Sequence, residues 1–242
     1  VLTSPFAPAP GQHLVGLGFS ESLVLPHHDQ PGRAARHRRA ALVATVPLLP
    51  IWDDETLLVD ASGWRIACGP MWVRPARLKD LDAVMAVFRA ASGAAWHTFI
   101  GAARLASAVM DPRTWAERIR LRDAGFLLAE DATGVLGFVL HRPAADSDLD
   151  DSVGEVDLLY TLPRVWGSGI GRRLLERATF ALLAAGFREA VLWTEHRNAR
   201  ALAVYQRSGW RPDGAVRERD YLGVRIRELR HRLDLGAFAG GS

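Results

Sequence analysis

The 242-residue sequence holds one cysteine, Cys68, and one lysine, Lys79, among its 30 basic side chains. A lone thiol excludes an internal disulfide and a cysteine-based metal cluster, and it fits a reducing compartment. The arginine-for-lysine bias fits a GC-rich genome and carries no functional reading. No apolar run reaches the roughly 18 to 20 residues that cross a bilayer. The stretch at 36–52, basic and then briefly apolar, contains Pro47 and Pro50 and lacks a small-residue cleavage site, so it is a poor export signal. Like charges form no block. With 27 acidic residues interspersed among the 30 basic ones and a net charge of +3, a nucleic-acid surface is not expected. There is no H-E-x-x-H, and His27-His28-Asp29 lacks a spaced partner, so no metal is expected.

What is present is the balance of an ordinary globular chain, 49% hydrophobic and 24% charged. Residues 1–70 are rich in proline and turn formers and poor in periodicity. They read as a poorly structured N-terminal extension, in which "ETLLVDASGWRIAC" is either a small hairpin or nothing stable, with Met71 able to serve as the true start. From Met71 the pattern sharpens into a domain over 71–235, followed by a flexible tail at 236–242. A strand at 71–75 precedes an amphipathic helix from about Asp80, with Leu81, Val84, Met85 and Phe88 on one face. A helical region at about 99–122 breaks at Asp111-Pro112. "GFLLAED" and "GVLGFVLHR" read as a hairpin around "DATG". An acidic loop, the strand "GEVDLLYTL", a helix carrying Leu174, Leu175, Ala178 and Leu182, the strand "REAVLWTE", a short helix ended by Gly209, and one closing strand region complete the order. The class is α/β (α+β): a central mixed sheet flanked by helices, partly parallel in its second half.

Between the strand and the helix lie Gly167, Gly169 and Gly171. A strand that runs through a glycine turn into a helix aims successive backbone N–H groups at one spot, where the helix dipole adds positive potential. Such a spot suits a pyrophosphate. Two familiar phosphate loops are absent: no G-K-[S/T] occurs, and G-x-G-x-G is not the dinucleotide spacing G-x-G-x-x-G.

The stretch from Leu159-Tyr160-Thr161-Leu162-Pro163 to Gly169-Ile170-Gly171-Arg172-Arg173-Leu174-Leu175 resembles motif A of the GNAT superfamily of acetyl-CoA-dependent N-acetyltransferases. Downstream, Asn198, Ala201, Tyr205, Gly209 and Trp210 match that family's N-x-x-A-x-x-x-Tyr-x-x-x-Gly-[aromatic] pattern. The paired leucines favour the register on Gly169 and Gly171, which puts Trp166 where the family has Gln or Arg. The resemblance implies the GNAT fold, a twisted mixed sheet with splayed parallel strands around the coenzyme A site. It also implies acetyl-CoA as co-substrate, with no metal.

By the same resemblance, Leu159, Tyr160 and Thr161 pair with the pantetheine arm, and the amides of Gly167, Ser168, Gly169, Ile170, Gly171 and Arg172 hold the pyrophosphate. Asn198 contacts the pantetheine or caps its helix, and Tyr205 is the general acid. Glu155 and Asp157, two apart on the strand and so on one face, are the candidate general bases. The ribosomal-protein alanine acetyltransferases carry a glutamate five residues before the motif Asn. Here Trp193 stands there, so that branch is a poor match. The expected activity is acetyl transfer to a primary amine of a small molecule or protein N-terminus, in a ternary complex, in the cytoplasm, with no membrane and with a homodimer left open. Two other readings stay open: a non-catalytic acyl-CoA-binding module, and a toxin that acetylates charged tRNA.

Overall fold

A computed structural model of the protein describes residues 23–25, 48–51, 55–60, 63–121 and 124–240. Leu23–Leu25 (β1) and Leu48–Pro50 (β2) make a small parallel pair. The main sheet has nine strands. Its elements in chain order are Glu55–Asp60 (β3), Gly63–Cys68 (β4), Met71–Pro75 (β5), Leu81–Trp96 (α1), Ala102–Ser107 (α2), Pro112–Arg120 (α3), Gly125–Asp131 (β6), Gly134–Pro143 (β7), Val153–Thr161 (β8), Ile170–Ala184 (α4), Glu189–Glu195 (β9), Ala199–Arg207 (α5), Arg211–Tyr221 (β10), Val224–Asp234 (β11) and Leu235–Gly240 (α6). The strand order is β10-β11-β9-β8-β7-β6-β5-β4-β3, and every neighbouring pair is antiparallel except β8 and β9.

Two apolar layers flank the sheet. On one face, Leu174, Leu175, Ala178, Leu182 and Leu183 of α4 pack on Val73, Ala129, Val139 and Val156. On the other, Val84 and Val87 of α1 and Trp115 of α3 pack on Leu128, Phe138 and Leu140. At Gly154 α4 packs too closely for a side chain, since a Cβ there would lie 2.5 Å from a Leu182 methyl. The expected breaks hold: Asp111 accepts the Arg113 amide in front of Pro112, capping α3.

Three expectations need correction. Residues 55–68, placed in the poorly structured extension as a small hairpin or nothing stable, form that hairpin, and its two strands belong to the main sheet, continuing it past Met71. Ile66 is fully buried, and the Glu55 carboxylate, with no exposed side-chain surface, bonds Arg173 Nη1 (2.7 Å) and Arg177 Nη2 (2.6 Å) of α4. The rest of the extension falls mostly outside the described residues. The closing strand region is a hairpin rather than one strand. β10 is an edge strand whose largely exposed residues lack the apolar alternation that marks a half-buried strand. Finally, the tail begins as α6, anchored by the fully buried Leu235.

Candidate active site

β8 and β9 pair only through Val153↔Glu189, Gly154↔Ala190 and Glu155↔Val191. Beyond Glu155 the strands diverge, which leaves one edge of β8 from Val156 to Thr161 without a strand partner among the described residues. The divergence starts at an irregularity. Against β7, His141 pairs with Val156 and Leu140 with Leu158, so Asp157 is an extra residue, a β-bulge. The bulge explains why Val156 and Leu159, three apart, pack on the same α4 side while Leu158 and Tyr160 pack on the α1 side. The opening is a cleft of about 780 Å³ bounded by β8, β9, α1, α4 and α5.

At one end lies the glycine loop. Gly167 and Gly169 have φ of +85° and +89°, a left-handed backbone that favours glycine, and an added Cβ would meet open space at either. Gly169 caps α4, and the Arg173 amide makes the first bond of that helix, to the Gly169 carbonyl at 3.0 Å. The amides of Ile170, Gly171 and Arg172 precede it and so lack intrahelical acceptors, at the positive end of a 15-residue helix. These donors and the bare glycine surface fit a diphosphate. Ser168 departs from expectation: its amide donates to the Val165 carbonyl (3.2 Å), which withdraws it from the set. Arg172 lines the cleft but also reaches Glu176 (2.6 Å), whereas Arg173 turns away to Glu55.

In the middle of the cleft, Glu155, Asp157, Leu159, Tyr160, Thr161, Asn198 and Tyr205 all contribute to the walls. Asn198 caps α5 by accepting the Ala201 amide (3.3 Å). The Tyr205 phenol finds no hydrogen-bond partner among the described residues, and burial pushes it up to about 12. Burial likewise raises Tyr160, which packs edge-on against Phe88 at 4.9 Å. Glu155 is pushed up to about 7, first by burial and then by the neighbouring Asp157 charge, while Arg142 pulls the other way. Arg142, directly across from Glu155 on β7, bridges the two carboxylates at 3.2 Å each. A carboxyl that titrates near neutrality and a buried phenol, both lining one cleft, supply a base and an acid for proton transfer.

Sequence reasoning missed Arg142, because its opposition to Glu155 depends on a cross-strand register broken by the bulge. It also missed the far wall. There Trp193 stands under the Arg217 guanidinium (4.3 Å) and donates its indole N–H to Asp146 (2.9 Å) of the acidic loop. Arg230 fixes that loop through Asp148 (2.6 Å) and also binds Asp213 (2.7 Å). Arg217 and Arg219 share the buried Glu228 (2.7 and 2.9 Å). From α1, Trp96 closes this end, stacked edge-on against Tyr221 at 5.2 Å, while His97 is exposed. Among the described residues no three His, Cys, Asp or Glu converge as a metal site, and no helix is long and apolar enough to cross a membrane.

Comparison with known proteins agrees with this geometry. A family model described as the acetyltransferase (GNAT) family matches residues 94–210. The mycothiol acetyltransferase of Amycolatopsis mediterranei (strain U-32) is 35% identical over 135 residues, covering 54% of this chain and 43% of that protein. The chain therefore spans less than half the length of that relative. A mycothiol acetyltransferase of Beutenbergia cavernae is 29% identical over 243 residues, covering 88% of this chain and 80% of that one. The PaiA N-acetyltransferase of Thermoplasma acidophilum, solved in complex with coenzyme A, superposes with a TM-score of 0.56 at 19% identity over 68% of this chain and 98% of that one. This likeness shows the same fold.

Proposed function

The chain carries an acetyltransferase domain of the GNAT family, and on that premise we propose that it transfers acetyl from acetyl-CoA to a primary amine of a small molecule. The observation that carries this reading is the parting of β8 from β9, which opens a cleft lined by the glycine loop, Glu155 and Tyr205.

The unpaired edge of β8 from Val156 to Thr161 offers backbone donors and acceptors to an extended amide-bearing arm, as a further strand would use them. The glycine loop holds the diphosphate of the donor. Amides of the same edge face the thioester carbonyl and stabilise the oxyanion as the amine attacks. Glu155, about half ionised at neutral pH, takes the proton from the incoming ammonium directly or through one water. The new C–N bond forms, the C–S bond breaks, and Tyr205 gives its proton to the departing sulfur. Although burial raises the phenol to about 12, the thiolate shares the same desolvated cleft, which raises its basicity as well. Relatives named mycothiol acetyltransferase make an amine precursor of mycothiol the first acceptor to test. A protein N-terminus is the second. The location we propose is the cytoplasm, consistent with a sequence that holds a single cysteine, Cys68.

The test is mass spectrometry of a panel of amines, amino-sugar thiols and N-terminal peptides incubated with acetyl-CoA and the protein. An acetylated amine formed only with both present supports the proposal. Tight acetyl-CoA binding with no acceptor acetylated would point instead to a binding module.

A further inference from the structure

Six arginines line the cleft, and they are held in different ways. Arg172 is paired with Glu176, and Arg217 and Arg219 share Glu228. Arg200 has no carboxylate partner among the described residues. Its guanidinium lies on the face of Trp166, 4.3 Å from the ring centroid. Trp166 is itself fixed: its indole N–H donates to the Thr161 carbonyl (2.9 Å), and it directly precedes Gly167 in the loop.

A guanidinium stacked on an aromatic ring differs from one in an ion pair. Stacking holds the plane and reduces the freedom lost on binding, yet it leaves the N–H edge free to take two oxygens of one anion. Arg200 rises from the first turn of α5 and lines the same cleft as Gly169, Gly171 and Arg172, and its stacking on Trp166 sets its charge next to the glycine loop. Nothing in the fold needs this cation. Arg200 is exposed, and the contact with Trp166 is its one interaction among the described residues.

We infer that Arg200, seated on Trp166, is a phosphate-binding residue for the nucleotide end of the acyl donor. This rests on the reading of the cleft as an acetyl-CoA site. Coenzyme A carries a diphosphate bridge and a ribose 3′-phosphate, and the two share the chemistry that a free guanidinium edge recognises. The side chain does not touch the reacting atoms, so it governs donor affinity rather than the chemical step.

Calorimetric titration of the wild-type protein and of Arg200→Met with coenzyme A and with 3′-dephospho-coenzyme A tests the inference. Arg104→Met, an exposed arginine on α2 outside the cleft, serves as the charge-matched control. Arg200→Met is expected to weaken coenzyme A binding by about tenfold or more, the typical loss for a hydrogen bond to a charged group. A loss seen with coenzyme A but not with the dephospho compound assigns the 3′-phosphate, and an equal loss with both assigns the diphosphate. Trp166→Leu should weaken binding in the same direction, and the double variant should add little to Arg200→Met. Binding by Arg200→Met equal to wild type, or lowered no more than in Arg104→Met, overturns the inference while leaving the donor reading intact. A wild-type protein that binds neither compound overturns the donor reading itself.

Discussion

Replacing Glu155 by glutamine should make the protein more stable and less active at once, and the two effects should separate with pH. The carboxyl has a side-chain exposure of only 7% and titrates at about 7 in place of its ordinary 4.5. Between those values the folded state keeps a proton that the unfolded chain has released. Unfolding therefore releases a proton in that window, and wild-type stability falls as pH rises through it. Taking both ionisations together, the penalty is about 1 kcal/mol at pH 5 and about 3 kcal/mol at pH 8. Glutamine cannot ionise and removes the penalty, whereas any change in packing that it causes is the same at both pH values. Urea denaturation of both proteins at pH 5 and pH 8 should thus show Glu155→Gln gaining about 2 kcal/mol more at pH 8 than at pH 5. Turnover at pH 8 should fall about 10²- to 10⁴-fold, the usual contribution of a general base. A stability difference independent of pH, or a variant that loses stability as pH rises, would refute the view of Glu155 as a buried carboxyl held for catalysis.

Arg142→Met removes the cation that favours ionised Glu155, so the carboxyl should titrate about one to three pH units higher. The rising limb of kcat/KM against pH should move up from about 7 by the same amount, and an unmoved limb would remove Arg142 from the account. Glu55→Ala removes a carboxylate that bonds Arg177, whose side-chain exposure is 3%. The variant should lose about 3 to 5 kcal/mol in denaturant melts. A chain cut before residue 71 should be similarly weakened. Gly169→Ala forces a side chain into φ of +89° and should cost about 1 to 2 kcal/mol of stability. Its loss of donor affinity in titration should be the larger effect, because the loop amides turn with the backbone.

The parts of the site legible from sequence are those in which local backbone chemistry dictates residue type. Positive φ at Gly167 and Gly169 calls for glycine, and the open end of α5 calls for the Asn198 cap. The fold's second half was legible because apolar periodicity on α4, β8 and β9 matches the faces they bury. The missing parts depend on long-range register. Glu55 meets Arg173 across 118 positions, and nothing local to β3 marks that buried pair. Arg142 faces Glu155 only because β7 and β8 pair as they do around a bulge at Asp157, and a bulge shifts every facing residue beyond it. Strand β10 was hidden for another reason: an edge strand with both faces mostly wet carries no alternation to read.

The claim that the cleft moves an acetyl group from thioester to amine is tested most directly by Tyr205→Phe. The measurement is kcat for amine-dependent thiol release from acetyl-CoA, set beside the donor dissociation constant. The phenol lines the cleft, holds its proton throughout the neutral range and has no hydrogen-bond partner among the described residues. The account predicts kcat lower by about 10²-fold or more, with donor affinity unchanged. A variant that turns over at the wild-type rate, or a wild-type protein that releases no thiol with any amine while binding acetyl-CoA tightly, would contradict it.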